Sequence, residues 1–226
     1  MYTDMSFPTS DAIYWADYIY ERYSKISEEA DFADWERASV KYPDYTLWGP
    51  SGVNPNDVAQ GNLGNCWVIN ALSALAEYPE RIYNLFHNSF KSEKGIYAVN
   101  IYALGVPYTI FVDDYLPFKE SGELLFAQIG SDQALWGPLL EKAIAKYVGN
   151  YWHMDVGQNF DSIGFLTGGP NYFISHYTTL DNFEKDRIWN EIKAHNHNRE
   201  LITTKSSAYL AEDSDIQPSH AYCILD

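Results

Sequence analysis

The chain has 226 residues and a mass of 25.9 kDa, a size that suits one large domain or two small ones. Apolar residues form 46% of the chain and aromatic residues 16%, which excludes a wholly disordered protein. The formal net charge of −16 excludes nucleic acid and anionic lipid as general partners, because both carry negative charge.

Hydrophobic periodicity predicts the elements in chain order. Helices are predicted at residues 10–26, 65–77, 135–148 and 182–195, and a further amphipathic stretch covers residues 79–90. Strands are predicted at residues 95–102, 108–112, 124–129, 201–204 and 220–225, which are rich in β-branched and aromatic residues. The first two strands indicate an antiparallel hairpin, ended by Asp113, Asp114 and Pro117. Together these segments predict an α+β fold with a subdomain boundary near residues 166–170.

The two cysteines, Cys66 and Cys223, exclude a disulfide scaffold and a four-cysteine zinc site. One disulfide remains open, although so few cysteines favour a reducing compartment. The first eight residues lack the basic and apolar regions of a signal peptide, and no apolar run has membrane-spanning length. We therefore expect a cytoplasmic protein without a membrane span.

Cys66 is the first candidate for chemistry, because it follows Gly64 and Asn65 and opens the predicted apolar helix. The N-terminus of a helix presents unpaired N–H groups and the positive end of the helix dipole, and both stabilise a thiolate. The alternative is a small buried apolar side chain, the common role of a free cysteine. The glycine-bearing approach and the helix start favour a nucleophile.

A thiolate nucleophile needs a residue that takes up and returns a proton, and histidine is the usual choice. His220 precedes an apolar strand-like segment and follows Cys66 by about 150 residues, a spacing typical of papain-type proteases. Gln60 lies shortly before Cys66 and offers an amide that could stabilise an oxyanion together with the Cys66 N–H. The other histidines have no comparable setting, and His195 and His197 suit an exposed helix end.

Five segments, in chain order, resemble motifs of the calpains, which are papain-like, calcium-dependent cysteine proteases. The segment Gln-Gly-Asn-Leu-Gly-Asn-Cys-Trp at residues 60–67 resembles the calpain nucleophile motif. The others are Phe-Val-Asp-Asp-Tyr-Leu-Pro at 111–117, Trp-Gly-Pro-Leu-Leu-Glu-Lys-Ala-Ile-Ala-Lys at 136–146, Leu-Thr-Gly-Gly at 166–169 and His-Ala-Tyr at 220–222. The resemblance covers roughly residues 43–226 and leaves the preceding residues outside.

The resemblance implies a papain-like cysteine protease fold. It divides the chain into an acidic N-terminal segment, a helical subdomain and an incomplete β-rich subdomain, at residues 1–42, 43–166 and 167–226. Cys66 would be the nucleophile, His220 the general base and acid, and Gln60 an oxyanion donor. The implied activity is limited proteolysis of protein substrates, with regulatory domains or subunits beyond this chain.

The calpain resemblance also implies a Ca²⁺ site in the first subdomain. Its ligands would be the carboxylates of Asp57 and Glu141 and the backbone carbonyls of Pro50 and Gly52. Oxygen ligands from a Gly- and Pro-rich loop suit this hard cation. The alternative for Asp57 is a loop acid or helix cap, while Glu141 in an otherwise apolar helix favours a cation partner.

Two pairs of residues in the calpain-like motifs are expected to be structural. Asp113 and Asp114 fall at a turn after a predicted strand. Trp67 and Trp136 are expected to pack in the core rather than to bind a ligand.

Three departures from the calpain pattern bear on activity. Asn65 stands where most calpains have Asp, and Ser219 replaces the Gly before the histidine. The Asn-Pro-Trp segment that orients the histidine in calpains is not among the residues that follow His220 here. We therefore expect weak or absent activity. The main alternative is a catalytically inactive calpain-like fragment that acts as a calcium-responsive or peptide-binding module, and the motifs disfavour a transglutaminase-like acyltransferase.

Overall fold

The structure, a computed structural model, describes residues 1–9, 32–130, 132–175, 180–209 and 214–225. The described helices are α1 (Ala38–Lys41), α2 (Cys66–Ala76), α3 (Pro79–Tyr83), α4 (Trp136–Val148), α5 (Asn159–Thr167) and α6 (Asn182–His197). The described strands are β1 (Phe32–Arg37), β2 (Val58–Ala59), β3 (Ile96–Ala103), β4 (Val106–Asp113), β5 (Tyr115–Lys119), β6 (Gln128–Ile129), β7 (Thr203–Lys205) and β8 (Ala221–Cys223). This mixture confirms the predicted α+β class. The helix predicted at residues 10–26 lies outside the described residues, as does His176.

The strands of the described residues form four two-stranded antiparallel sheets, which pair β1 with β5, β2 with β6, β3 with β4, and β7 with β8. The β3–β4 pair is the hairpin that the sequence predicts, with Ile96 opposite Asp113 and Ala103 opposite Val106. Its two-residue turn contains Leu104 and is shorter than expected. The β7–β8 pair brings the end of the chain against α2.

The core surrounds α2 and α4, the two helices with the clearest apolar pattern. Ten of the eleven residues of α2 are buried, because the helix packs against α3, α4, α5 and β8 rather than along one face only. In α4, buried residues run from Trp136 to Ala145. Trp67 and Trp136 are 4% and 0% exposed, which confirms that they pack in the core.

The amphipathic stretch predicted at residues 79–90 is wrong in its second half. The helix ends at Tyr83, and the chain then pairs with β3 instead of continuing as a helix. The N–H of His87 donates to the Ala98 carbonyl at 2.9 Å, and the N–H of Asn100 donates to the Leu85 carbonyl at 2.8 Å. Pairing with the strand satisfies the backbone that the helix would have satisfied.

Five of the described elements were not predicted from the sequence, which are β1, α1, β2, β5 and α5, and three predicted strands are shorter in the structure. Pro117, expected to end a strand, lies inside β5 opposite Trp35. Its carbonyl accepts the N–H of Leu125 at 2.9 Å, and a two-stranded sheet tolerates the missing proline N–H because each strand is an edge. Helix α5 was also missed. The strand predicted at residues 124–129 is reduced to β6, that at 201–204 becomes β7, and that at 220–225 is reduced to β8.

The described parts of the N-terminal segment pack on the rest of the protein. Phe7 is 4% exposed. The Asp4 carboxylate accepts a hydrogen bond from Lys146 Nζ at 2.6 Å, and its N–H donates to Asp113 Oδ2 at 2.7 Å. Strand β1 pairs with β5 over its length. Residues 1–9 and 32–42 are therefore built into the same core as α4.

The described part of residues 167–225 contains α6 and the β7–β8 sheet. None of the residues of α6 is buried. Its N-terminus carries a capping box, in which Asp181 Oδ1 accepts the N–H of Glu184 at 2.8 Å. Within the described ranges, every helix is too short or too polar to cross a bilayer.

Candidate active site

Cys66 is the first residue of α2 and is partly buried. The carbonyl of Asn65 accepts the N–H groups of Val68 and Ile69, at 2.8 and 3.1 Å, so the helix begins at this point. The first N–H groups of a helix have no partner within it, and they favour negative charge nearby. The predicted setting of Cys66 at a helix start is confirmed. Cys66 and Cys223 are both free thiols, so they form no disulfide.

Gln60 lies in the loop between β2 and α2. Its Nε2 donates to the Leu63 carbonyl at 2.6 Å, so the side chain folds back onto the loop that leads to Cys66. In the same loop, the N–H of Asn62 donates to the Leu125 carbonyl at 3.0 Å. The loop that leads to Cys66 is therefore held by the Gln60 side chain and by the segment that contains Leu125.

His220 lies directly before β8, the strand that packs against α2. Its N–H donates to Ser206 Oγ at 2.9 Å, and its carbonyl accepts the N–H of Ser206 at 2.8 Å. The imidazole ring of His220 contacts the Tyr222 ring edge-on, with the two ring centroids 5.0 Å apart. The tertiary structure thus brings the elements of Cys66 and His220 together. Within the described residues no hydrogen bond joins the Cys66 thiol to the His220 imidazole, so their joint role remains a prediction.

His195 and His197 lie in the last turn of α6, as the sequence predicts. The His195 ring contacts Tyr172 Oη at 2.5 Å and the Glu200 carboxylate at 2.8 Å. These partners account for His195 without a metal or a catalytic role.

Asp113 and Asp114 have the structural role expected of them. Asp113 Oδ1 accepts a hydrogen bond from Lys142 Nζ at 2.5 Å, and the Asp114 carboxylate pairs with the Arg37 guanidinium. Both aspartates are fully buried. Each carboxylate therefore has a cation of the protein itself as its partner.

Asp57 lies in the loop region where the calcium ligands were predicted. Its Oδ2 accepts the N–H of Asn54 at 2.8 Å and the indole N–H of Trp136 at 2.9 Å. Burial raises the pKa of Asp57, and these hydrogen bonds oppose that shift. The Pro50 and Gly52 carbonyls belong to the stretch of chain just before it. Asp57 completes a capping box with Asn54, which is the helix-cap role given as the alternative for this residue, and its role as a Ca²⁺ ligand stays a prediction.

Glu141 lies in a different environment from Asp57. Its Oε1 accepts Nδ2 of Asn65 at 2.6 Å, and both of its carboxylate oxygens accept the N–H of Ala127, at 3.2 and 3.0 Å. Burial raises the pKa of Glu141 to about 7. Trp136 precedes Glu141 by five residues, so at 100° per residue their side chains leave α4 about 140° apart. The described contacts therefore do not bring Glu141 to the Asp57 loop.

Asp132 is an acidic residue near Asp57 that the sequence analysis did not single out. Its two carboxylate oxygens are buried and have no hydrogen-bond partner among the described residues. Its negative charge adds to the raised pKa of Asp57, and a side chain at Gly49 would overlap its carboxylate. Two neighbouring carboxylates repel each other when both are ionised, and a cation bound between them would offset that repulsion.

The fit of the chain to Ca²⁺ is thus partial. Asp57 and Asp132 place carboxylate oxygens in one region, but Asp57 already accepts hydrogen bonds from Asn54 and Trp136. Glu141 is likewise engaged, with Asn65 and Ala127. Within the described ranges, no three His, Cys, Asp or Glu side chains are grouped as ligands for a metal ion. No local pattern in the sequence marks Asp132, because its nearness to Asp57 depends on how the two loops fold together.

Comparison with known proteins decides the family. The sequence model of the calpain family cysteine proteases matches residues 2–226. This chain belongs to the calpain family. The match extends the resemblance drawn from the motifs, because it includes the N-terminal residues that those motifs left outside.

Calpain relatives from plants and animals resemble this chain at about the same level. The calpain-type cysteine protease DEK1 of Zea mays is 32% identical over 180 residues, which cover 76% of this chain and 8% of that protein. Calpain-5 of Caenorhabditis elegans is 29% identical over 210 residues, covering 84% and 32% respectively. Human calpain-14 is 31% identical over 173 residues, covering 74% and 24%. The calpain chain described here thus spans less than a third of the length of each of these relatives.

Proposed function

We propose that this chain is the catalytic core of a calpain-type thiol endopeptidase with a papain-like fold. The observation that carries the proposal is the position of Cys66 at the start of α2, with β8, the strand that directly follows His220, packed against that helix in a member of a cysteine protease family. The helix start supplies N–H groups for a developing negative charge, and Gln60 precedes it on a fixed loop.

The proposed reaction uses three groups in sequence. The Cys66 thiolate attacks the carbonyl carbon of a peptide bond, so an S–C bond forms while the carbonyl oxygen becomes an oxyanion. Gln60 and the Cys66 N–H stabilise that oxyanion. His220 accepts the thiol proton and delivers it to the amine as the C–N bond breaks, and water then cleaves the thioester.

Hydrolysis of an unfolded protein substrate tests this proposal directly. Cys66→Ala is expected to reduce turnover to background, whereas Cys223→Ser, which removes the other free thiol, leaves turnover in place. His220→Ala is expected to lower kcat by about 10²–10⁴-fold. Gln60→Ala is expected to lower kcat by about 10²–10³-fold, the loss typical of one oxyanion donor. Turnover that survives in Cys66→Ala would show that the proposal is wrong.

The second candidate function is a calpain-like module without turnover that binds peptides or responds to calcium. It is favoured by the fact that, among the described residues, no hydrogen bond joins the Cys66 thiol to the His220 imidazole. The discriminating result is saturable binding of a peptide to wild-type protein together with no cleavage of that peptide. Cys66 would then react with iodoacetamide no faster than Cys223 does.

We further propose that the protein binds Ca²⁺ through the Asp57 carboxylate and the Pro50 and Gly52 carbonyls, with Asp132 as an added acidic neighbour. The support for this placement is that, among the described residues, the buried Asp132 oxygens have no hydrogen-bond partner and that the Asp132 charge acts on Asp57. Calcium titration by calorimetry, with Asp57→Asn and Glu141→Gln as the paired variants, distinguishes the two acids. We expect Asp57→Asn to weaken binding at least tenfold and Glu141→Gln to leave it within about threefold. The reverse order would restore Glu141 as the ligand.

The proposed substrates are proteins that present accessible extended segments, and the proposed compartment is the cytoplasm. Two free cysteines are consistent with a reducing compartment. Because the chain spans less than a third of the relatives above, regulatory domains or subunits outside it are part of the proposal. Cell fractionation of the tagged natural protein checks the compartment, and its co-purifying chains check the partners.

A further inference from the structure

A short segment around Asp155 holds the loop that leads to Cys66. Asp155 Oδ1 accepts the N–H of Gly64 at 2.8 Å. In return, the N–H of Val156 donates to the Gly64 carbonyl at 3.0 Å. Gly64 lies two residues before Cys66, and both polar groups of its backbone are thereby tied to one neighbouring segment. A side chain at Gly64 would overlap the Asp155 carboxylate, so the close approach requires glycine.

The same segment also holds the residue that follows Cys66. The indole N–H of Trp67 donates to the Met154 carbonyl at 2.8 Å, and Gly157 packs directly on the indole ring. One turn further into α5, Ser162 Oγ donates to the Trp67 carbonyl at 2.6 Å. Cys66 therefore lies between Gly64, two residues before it, and Trp67, directly after it, and residues 154–162 hold both of them.

The segment that holds Gly64 and Trp67 contains an unfavourable backbone conformation at Val156. Val156 has a φ of 67°, in the left-handed region, which a β-branched residue rarely adopts. Its side chain is 77% exposed, so packing of the side chain does not explain the conformation. The bonds that Asp155 and Val156 make to Gly64 are the contacts that the unfavourable conformation permits.

We propose that Asp155 is a positioning residue for the nucleophile: by accepting the Gly64 N–H, it fixes the loop between Gln60 and Cys66 and so sets the place of the Cys66 thiol and N–H. The inference rests on the proposed function for its effect on turnover. The proposed role is geometric rather than electrostatic. The negative charge of a carboxylate disfavours a thiolate nearby, so the charge of Asp155 would not help to ionise Cys66. The position of Cys66 therefore depends on the Asp155 oxygen that accepts the Gly64 N–H, and not on the negative charge of that carboxylate.

Two substitutions separate the acceptor from the charge. Asp155→Ala removes both, while Asp155→Asn keeps an oxygen that can accept the Gly64 N–H. Asp44→Ala removes an exposed aspartate elsewhere and serves as the matched control. The first readout is the rate at which iodoacetamide alkylates Cys66, followed by mass spectrometry of its peptide, with the Cys223 peptide of the same digest as an internal reference. The second is hydrogen exchange in the peptide that contains Gly64.

The proposal predicts that Asp155→Ala changes the Cys66 alkylation rate at least threefold and speeds exchange at Gly64, with the Cys223 rate unchanged. Asp155→Asn and Asp44→Ala stay close to wild type. In turnover, Asp155→Ala lowers kcat at least tenfold with KM within about threefold, since a small displacement of a reacting group is costly. Asp155→Asn restores kcat to within about threefold of wild type.

Three results would overturn the proposal. The first is an Asp155→Ala variant that matches Asp44→Ala in alkylation and exchange. The second is an equal loss in Asp155→Ala and Asp155→Asn, which would assign the effect to charge. The third is a parallel change at Cys223, which would indicate general loosening. If wild-type protein has no turnover, the proposed function fails, and the alkylation and exchange measurements still decide whether Asp155 positions Cys66.

Discussion

Asn65 and Glu141 connect the start of α2 to the middle of α4. Nδ2 of Asn65, which is fully buried, donates to Oε1 of Glu141 at 2.6 Å. Asn65 is the residue directly before Cys66, so a buried carboxyl group on a neighbouring helix holds the N-terminal boundary of α2. The Asn65 side chain is used for this contact and makes no capping hydrogen bond of its own to α2.

Glu141 is expected to make stability fall as the pH rises. Burial raises its pKa to about 7 in the folded protein, from the ordinary value of 4.5. The folded state therefore holds the proton more tightly, and the contribution to stability is fully present below pH 4.5 and is lost as the pH rises through 7. Over the whole titration, the difference between these two pKa values corresponds to about 3 kcal/mol of unfolding free energy.

Urea unfolding at pH 5 and pH 8 measures the effect of Glu141, with Glu141→Gln as the control that cannot titrate. The wild-type protein is expected to lose about 2.5 kcal/mol more than the variant between the two pH values, because the carboxyl group of the unfolded chain is already largely ionised at pH 5. Equal pH dependence in both proteins would mean that Glu141 has an ordinary pKa in the fold.

Gly157→Ala is expected to displace Trp67, since a methyl group at residue 157 would overlap the indole ring. We predict a loss of about 1–3 kcal/mol of unfolding free energy, as is typical of overpacking, and a loss of turnover because Trp67 adjoins Cys66. Gly164→Ala in α5 is the matched control. A methyl group at Gly164 would meet only Asn171 Nδ2, at an ordinary contact distance of 3.8 Å, and alanine in a helix is expected to stabilise by about 0.5–1 kcal/mol. Thermal unfolding of both variants checks the pair, and equal melting temperatures would contradict the overlap.

Lys142→Met is expected to be strongly destabilising. Lys142 is fully buried, and its Nζ donates to Asp113 Oδ1 at 2.5 Å and to the Tyr115 carbonyl at 2.6 Å. Burial lowers the pKa of Lys142, and the Asp113 charge opposes that shift. Removing the lysine leaves Asp113 as an unpaired buried charge, for which we expect a loss of about 3–5 kcal/mol.

The double variant Lys142→Met/Asp113→Asn identifies the origin of that loss. Because it also removes the stranded charge, it is expected to be at least 1 kcal/mol more stable than Lys142→Met alone. Denaturant unfolding of the two proteins measures the difference. A double variant less stable than the single one would show that the Asp113 charge is compensated by other groups.

Leu104→Asn is expected to stabilise the β3–β4 hairpin. Leu104 and Gly105 form its two-residue turn with φ of 50° and 79°, and both values belong to the left-handed region. Asn-Gly is the preferred pair for such a turn, whereas leucine adopts this conformation at a cost. Leu104 is fully exposed, so no packing is lost. We expect a gain of about 0.5–1 kcal/mol in thermal unfolding, with Leu104→Ala, which lacks the preference of Asn, giving no comparable gain.

The sequence alone predicts the elements whose pattern is complete within one short segment. Helices α2 and α4 and the β3–β4 hairpin were predicted within a few residues, because periodicity and turn residues are local signals. The motif at residues 60–67 likewise placed Cys66 at a helix start, since the helix pattern and the glycine before it are adjacent in the chain. The calpain family follows from such segments, and the family match over residues 2–226 confirms it.

The contacts that define the candidate site were decided by the tertiary structure. Strand β5 pairs with β1, a partner more than 70 residues earlier in the chain, and Pro117 gave no local sign of it. Asp155 reaches Gly64 across 91 residues, and Glu141 reaches Asn65 across 76. Local propensity determines which segments become helices and strands, but the hydrogen-bond partners of a buried carboxylate depend on which distant segments pack beside it. For that reason the sequence by itself determined the family and the helix that begins at Cys66, and only the folded chain decided what holds Cys66 in place.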